Sequence, residues 1–165
     1  MPALSSHREP AKMPSNSIRI LPLCRKDQAP ARQLILSGLA ERWGHLDPTK
    51  NPDLDDIATA YAGATFLLAW DGDELVGTGA LIHEAAGVAR IVRMSVAAAR
   101  RRQGIGSLIL RHLLAAARAA GYRQVTLETT STWHDAIAFY QRHGFREIGA
   151  WDGDTHLLLD LGEDG

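Results

Sequence analysis

The segment from Val92 to Ser107 reads Val-Arg-Met-Ser-Val-Ala-Ala-Ala-Arg-Arg-Arg-Gln-Gly-Ile-Gly-Ser. Its first half has the apolar, β-branched character of a strand. From Ile105 the apolar residues Ile105, Leu108, Ile109, Leu113 and Ala116 recur at helical spacing. A strand that feeds a glycine-containing turn at the start of a helix builds an anion site, because the first helical N–H groups lack partners and the helix dipole is positive there. Arg100, Arg101 and Arg102 crowd that same positive end, an arrangement that a bound polyanion turns from repulsion into attraction. Gly104 and Gly106 let a ligand approach the backbone, and Gly106 in the first turn costs up to about 1 kcal/mol against alanine. Two familiar phosphate loops do not fit. A P-loop ends in Gly-Lys-Ser/Thr, and a dinucleotide fingerprint needs a third glycine where Ile109 stands. A solvated basic turn is the plain alternative, and the strand before the turn and the long helix after it count against that.

The elements that must position this segment are readable from periodicity. Ser17 to Leu23 alternates as a strand, with Pro22 marking an edge; Ala29 to Trp43 forms an amphipathic helix ended by Gly44; and Asp53 caps a short helix reaching about Tyr61. Thr65 to Trp70 and Glu74 to His83 make a hairpin around Asp71-Gly72-Asp73. A fourth strand covers Val88 to Val96, a long helix Ile105 to Ala120, a fifth strand Gln124 to Thr129 and another helix Trp133 to His143, stopped by Gly144. Phe145 to Ala150 and Thr155 to Leu161 close the chain as two strands around Asp152-Gly153-Asp154. The order β-α-α-β-β-β-α-β-α-β-β predicts an α/β fold, a mixed sheet flanked by helices.

Whole-chain properties narrow the function classes. With 165 residues and a formal charge of −1, the chain is the size of one domain and has no global field to draw it to nucleic acid or membrane. No recognition helix or aromatic stacking pattern accompanies the arginines. The single cysteine, Cys24, and the lack of a signal-like start predict a cytoplasmic protein. Residues 1–16, rich in Pro, Ser and charge, are expected to be a disordered tail, with Met13 a possible true start, leaving one domain over 17–162. No metal is expected.

Two motifs resemble the GNAT superfamily of N-acetyltransferases. Arg101-Arg102-Gln103-Gly104-Ile105-Gly106 is similar to the Arg/Gln-x-x-Gly-x-Gly/Ala loop of that family, and Ala136 to Phe145 (AIAFYQRHGF) is similar to its Ala-x-x-Phe-Tyr-x-x-x-Gly-Phe signature. The resemblance runs from about Ser17 to Leu161 and implies the GNAT fold, with the fourth and fifth strands splayed. It also implies that acetyl-CoA is the cosubstrate and that an acetyl group passes to a primary amine of a small molecule or peptide. By the family pattern, the backbone at Met94, Ser95 and Val96 holds the pantetheine arm. Arg101, Arg102, Gln103, Gly104, Ile105, Gly106 and Ser107 cradle the pyrophosphate. Tyr140 protonates the leaving thiolate. Where many relatives carry Asn, this chain has Trp133, whose contact to the cofactor is expected to differ.

An alkylamine is neutral only about once in 2,500 molecules at pH 7, so the reaction profits from a base. Glu128 on the fifth strand, Glu84 and His83 are the candidates, with Glu128 preferred; its competing role is an ion pair with Arg93 across the sheet. Residues 36–56 and the Asp152–Asp154 turn are expected to hold the acceptor. Glu41, Asp47, Asp53, Asp55 and Asp56 make that region acidic, which suits a cationic amine. A non-catalytic acyl-CoA-binding module of the same fold is the alternative. Homodimers are common among proteins with this resemblance.

Overall fold

The computed structural model describes residues 17–47 and 49–162, and the expected tail and Met13 lie outside them. Seven strands form one sheet: β1 (Ile18–Pro22), β2 (Thr65–Asp71), β3 (Glu74–Ala85), β4 (Val88–Val96), β5 (Gln124–Thr130), β6 (Arg146–Trp151) and β7 (Asp154–Asp160). Four α-helices accompany them: α1 (Gln28–Trp43), α2 (Ile57–Ala60), α3 (Ile105–Ala119) and α4 (His134–Arg142). The strand order is β1-β2-β3-β4-β5-β7-β6, which puts Pro22 in an edge strand, where a missing N–H is tolerated.

Every neighbouring pair is antiparallel except β4 and β5. Parallel neighbours need a crossover, and α3 supplies it. That pairing covers only Val88 to Arg90 against Gln124 to Thr126. Beyond it β4 runs on to Val96 and β5 to Thr130 without pairing to each other, so the sheet opens as a wedge in its middle.

Each face of the sheet carries a core. Ile105, Ile109, Leu110 and Leu113 of α3 pack with Val76, Ile91, Val125 and Leu157 on one face, and Ala31 and Ile35 of α1 pack with Leu54, Ile57, Phe66 and Leu68 on the other. Gly79 permits the close approach of α3: a Cβ there would stand 2.7 Å from Ile109 Cγ2 and 2.6 Å from Met94 Sδ.

Two local expectations change. The β2–β3 reversal is Gly72-Asp73, since Asp71 already pairs with Glu74 and Gly72 takes φ 60. The short helix expected from Asp53 to Tyr61 divides into a 3-10 turn, Pro52–Leu54, and the single turn of α2. Asp56 interrupts it with φ −145, its side chain accepting from the Thr59 N–H, so the capping residue is Asp56 instead of Asp53.

Candidate functional site

The open wedge exposes one edge of β4, and the hydrogen bonds show which atoms face it. The N–H of Ala97 donates to the Val76 carbonyl at 2.9 Å. Two residues earlier, the Ser95 carbonyl also lies toward β3, near Gly77. Because backbone groups alternate along a strand, Met94 and Val96 present their N–H and C=O groups to the opposite side, where β5 has diverged. Such an edge pairs with an extended ligand as an added strand. The Ser95 side chain turns to Gly38 of α1, while Val96 faces Gly106 of α3.

β4 leads into the glycine loop through a 3-10 turn, Ala98–Arg100. Arg102 and Gly104 both take left-handed conformations, φ 61 and 80, and Gly104 is the α3 N-cap without a side-chain cap bond. The first helical hydrogen bond runs from the Leu108 N–H to the Gly104 carbonyl at 3.0 Å. The N–H groups of Ile105, Gly106 and Ser107 therefore precede the ladder and lack helical partners, at the positive end of a 15-residue helix. A Cβ on Gly104 would meet nothing within 4 Å, so that glycine is required by conformation and not by space. A Cβ on Gly106 would meet Phe139 of α4 at 3.4 Å and Val96 of β4 at 3.6 Å, so a side chain there would pack against both.

The arginine triplet is not wholly available to an anion. Arg100 donates to Asp71 at 2.6 Å, to Glu74 at 3.2 Å and to Gln103 Oε1 at 3.1 Å. Arg101 makes a two-pronged bond to Glu41 at 2.5 and 2.8 Å. These bonds hold the Arg100 and Arg101 pKa values above the ordinary range. Two of the three charges thus brace the loop from within, and Arg102 is the arginine left facing outward. Ser107 is also engaged, sharing a 2.9 Å hydrogen bond with His143 Nε2. Burial, with Arg111 and Arg142 nearby, lowers the His143 pKa, so its ring is neutral at pH 7.

Tyr140 is 8% exposed and makes edge contacts to Phe139 and Phe145. Its hydroxyl has no hydrogen bond among the described residues, and no buried side-chain polar atom there lacks a partner. The hydroxyl oxygen must therefore reach the surface. Burial pushes its pKa well above the ordinary 10, against a smaller opposing effect of Arg42. Trp133, just before α4, lies 5.4 Å from the Trp43 ring and carries the Arg42 guanidinium 4.5 Å above it; Arg42 in turn grips Asp135 at 3.0 and 2.7 Å. Trp133 and Asp135 thus tie the end of α1 to the start of α4.

The expected pairing of Glu128 with Arg93 is not formed. Glu128 pairs with Arg90, which also meets Glu84 at 3.5 Å, and Glu128 lies 3.7 Å from His156 Nδ1. His156 is stacked beneath Trp151 at 3.6 Å. His83 bonds the Tyr122 hydroxyl at 3.1 Å. Arg93 instead grips Asp53 from the loop before α2, at 2.6 and 2.9 Å. Asp53 and Arg93 lie 40 positions apart, and no local spacing signals the contact. The region expected to be acidic is largely neutralised: Glu41 pairs with Arg101, Asp55 with Arg32, Asp56 with Arg25, and Asp47 accepts from Thr49. It offers little free negative charge to a cation, because those carboxylates serve as caps and ion-pair partners.

The family model described as Acetyltransferase (GNAT) family matches residues 29–145. Among curated relatives, the uncharacterized N-acetyltransferase YsnE of Bacillus subtilis is 36% identical over 84 residues, 50% of this chain and 56% of that protein. Human N-acetyltransferase 8 is 32% identical over 113 residues, 64% of this chain and 50% of that protein. The chain spans about half the length of the curated relatives it matches. A GNAT-family acetyltransferase from Staphylococcus aureus Mu50 superposes with a TM-score of 0.81 at 24% identity, covering 88% of this chain and 99% of that one. PaiA N-acetyltransferase from Thermoplasma acidophilum, solved in complex with coenzyme A, superposes at 0.77 with 16% identity, over 87% and 99%.

Proposed function

The chain belongs to the acetyltransferase (GNAT) family, and from that premise we propose that it transfers the acetyl group of acetyl-CoA to a primary amine, on a small molecule or peptide, by direct attack in a ternary complex. One observation carries the reading: a strand edge at Met94 and Val96 lies open in the wedge and leads directly to the three unpartnered N–H groups of Ile105, Gly106 and Ser107. An extended arm with a polyanionic end is the ligand whose chemistry matches both parts at once, and pantetheine joined to pyrophosphate is such a molecule. Arg102 and the loop backbone at Arg101, Gln103 and Gly104 complete the cradle. Arg101 and Gln103 brace it through their side chains.

In the proposed reaction the amine nitrogen attacks the thioester carbonyl carbon while the Val96 N–H polarises the oxygen. The carbon–sulfur bond breaks, the thiolate takes its proton from the Tyr140 hydroxyl, and the proton that the amine nitrogen sheds as the amide forms restores that hydroxyl through solvent. Trp133 and Arg42 close the wedge beside that hydroxyl. Glu128 sits past the last β4–β5 pair, on the face opposite α3. Its carboxylate is held by Arg90, and its proposed part is to orient the incoming ammonium, whose proton leaves to solvent. The reading takes residues 17–162 as a single cytoplasmic domain without a metal, nucleic acid or membrane partner. No described helix is long and apolar enough to cross a membrane.

A free-thiol assay with acetyl-CoA and a panel of small amines and peptides checks the activity. Thiol release that depends on the amine is the expected result. Tight acetyl-CoA binding without release for every amine would favour the non-catalytic module.

A further inference from the structure

Between the pairs Ala80↔Val92 and Thr78↔Ser95, β4 holds one residue more than β3. Arg93 occupies that bulge at φ 56, a left-handed conformation that side chains disfavour. Contacts from two directions hold it there. The Thr78 hydroxyl, fully buried, donates to the Arg93 carbonyl at 2.7 Å. The guanidinium donates from Nε and Nη2 to Asp53, at 2.9 and 2.6 Å, and from Nη1 to Asn51 Oδ1 at 3.2 Å. The Tyr61 hydroxyl donates to the same Asp53 carboxylate at 2.6 Å. Leu54 and Ile57, both buried, anchor the segment that carries Asp53.

The extra residue determines which backbone groups face the wedge. Without it Met94 would stand opposite Thr78, the groups of Met94 and Val96 would turn to β3, and those of Ser95 would face the opening. The strained residue therefore switches the phase of the strand one step before the edge assigned to the cosubstrate.

We propose that Arg93 is a positioning residue: clamped by Asp53 and Thr78, it fixes the bulge that turns the Val96 N–H toward the thioester carbonyl. This inference rests on the acetyl-CoA reading of the wedge. It also couples the loop before α2, on the acceptor side, to polarisation of the acyl group.

The test is difference infrared spectroscopy of [1-13C]acetyl-CoA bound to the full chain, with CoA affinity measured in parallel. In the parent protein the bound carbonyl stretch moves to lower frequency than that of free acetyl-CoA. Asp53→Asn, Thr78→Val and Arg93→Lys, each checked for a cooperative melt, lose most of that shift. Their acetyl-CoA to CoA affinity ratio falls about fivefold, the size of one hydrogen bond. CoA affinity falls as well, because its pantetheine arm pairs with the same edge, but by less than acetyl-CoA affinity. A retained shift and an unchanged ratio in the folded variants would show that the clamp is structural only. A parent protein that binds neither CoA nor acetyl-CoA would instead overturn the reading of the wedge itself.

Discussion

Tyr140→Phe should lower kcat on the order of 10²-fold or more while leaving acetyl-CoA affinity within about threefold. The substitution removes one oxygen and keeps the ring, so the edge contacts with Phe139 and Phe145 survive. Because the hydroxyl has no partner among the described residues, its loss strands no other polar group, and stability should change little. The effect should therefore appear in turnover, where a proton must reach the departing sulfur. Burial raises the tyrosine pKa above the ordinary 10, so the proton is present throughout the neutral and mildly alkaline range. Loss of activity from its ionisation should begin only above pH 10. A Phe variant with parental kcat would mean that the thiolate leaves unaided or takes its proton elsewhere.

Gly104→Val should weaken acetyl-CoA and CoA alike by about 10- to 100-fold, roughly the effect of losing one or two hydrogen bonds to a charged group. Gly104 stands at φ 80 and a Cβ there would meet nothing within 4 Å, yet the β-branched valine cannot hold that conformation. The backbone must turn, taking the donors at the head of α3 out of register. Gly104→Asn is the control, since asparagine tolerates the left-handed region and should keep most of the affinity. A loop that were only a solvated basic turn would show a lower melting temperature for Gly104→Val with no change in affinity for either nucleotide.

The parts legible in the sequence were those governed by local rules. Strand β4 spans Val88–Val96 as the sequence predicts, and α3 follows from the apolar spacing after Gly104. The opening between β4 and β5 was not a matter of periodicity: both strands look continuous, and it came only from the family resemblance. Charge was read least well. Three adjacent arginines suggest an anion, yet Asp71, Glu74 and Glu41, distant in sequence, claim two of them. The same long-range pairing gave Arg93 to Asp53 and left Glu128 to Arg90. The bulge at Arg93 was invisible for a related reason, because one extra residue in a strand shows only when its partner is aligned beside it.

Calorimetric titration of the chain with acetyl-CoA, with CoA and NAD as comparisons, tests the central claim most directly. Saturable binding of acetyl-CoA and CoA with no heat from NAD is the expected result, since a wedge that pairs with pantetheine discriminates against a dinucleotide that carries the same pyrophosphate. Equal binding of all three would reduce the site to a phosphate loop, and no binding of acetyl-CoA would contradict the account.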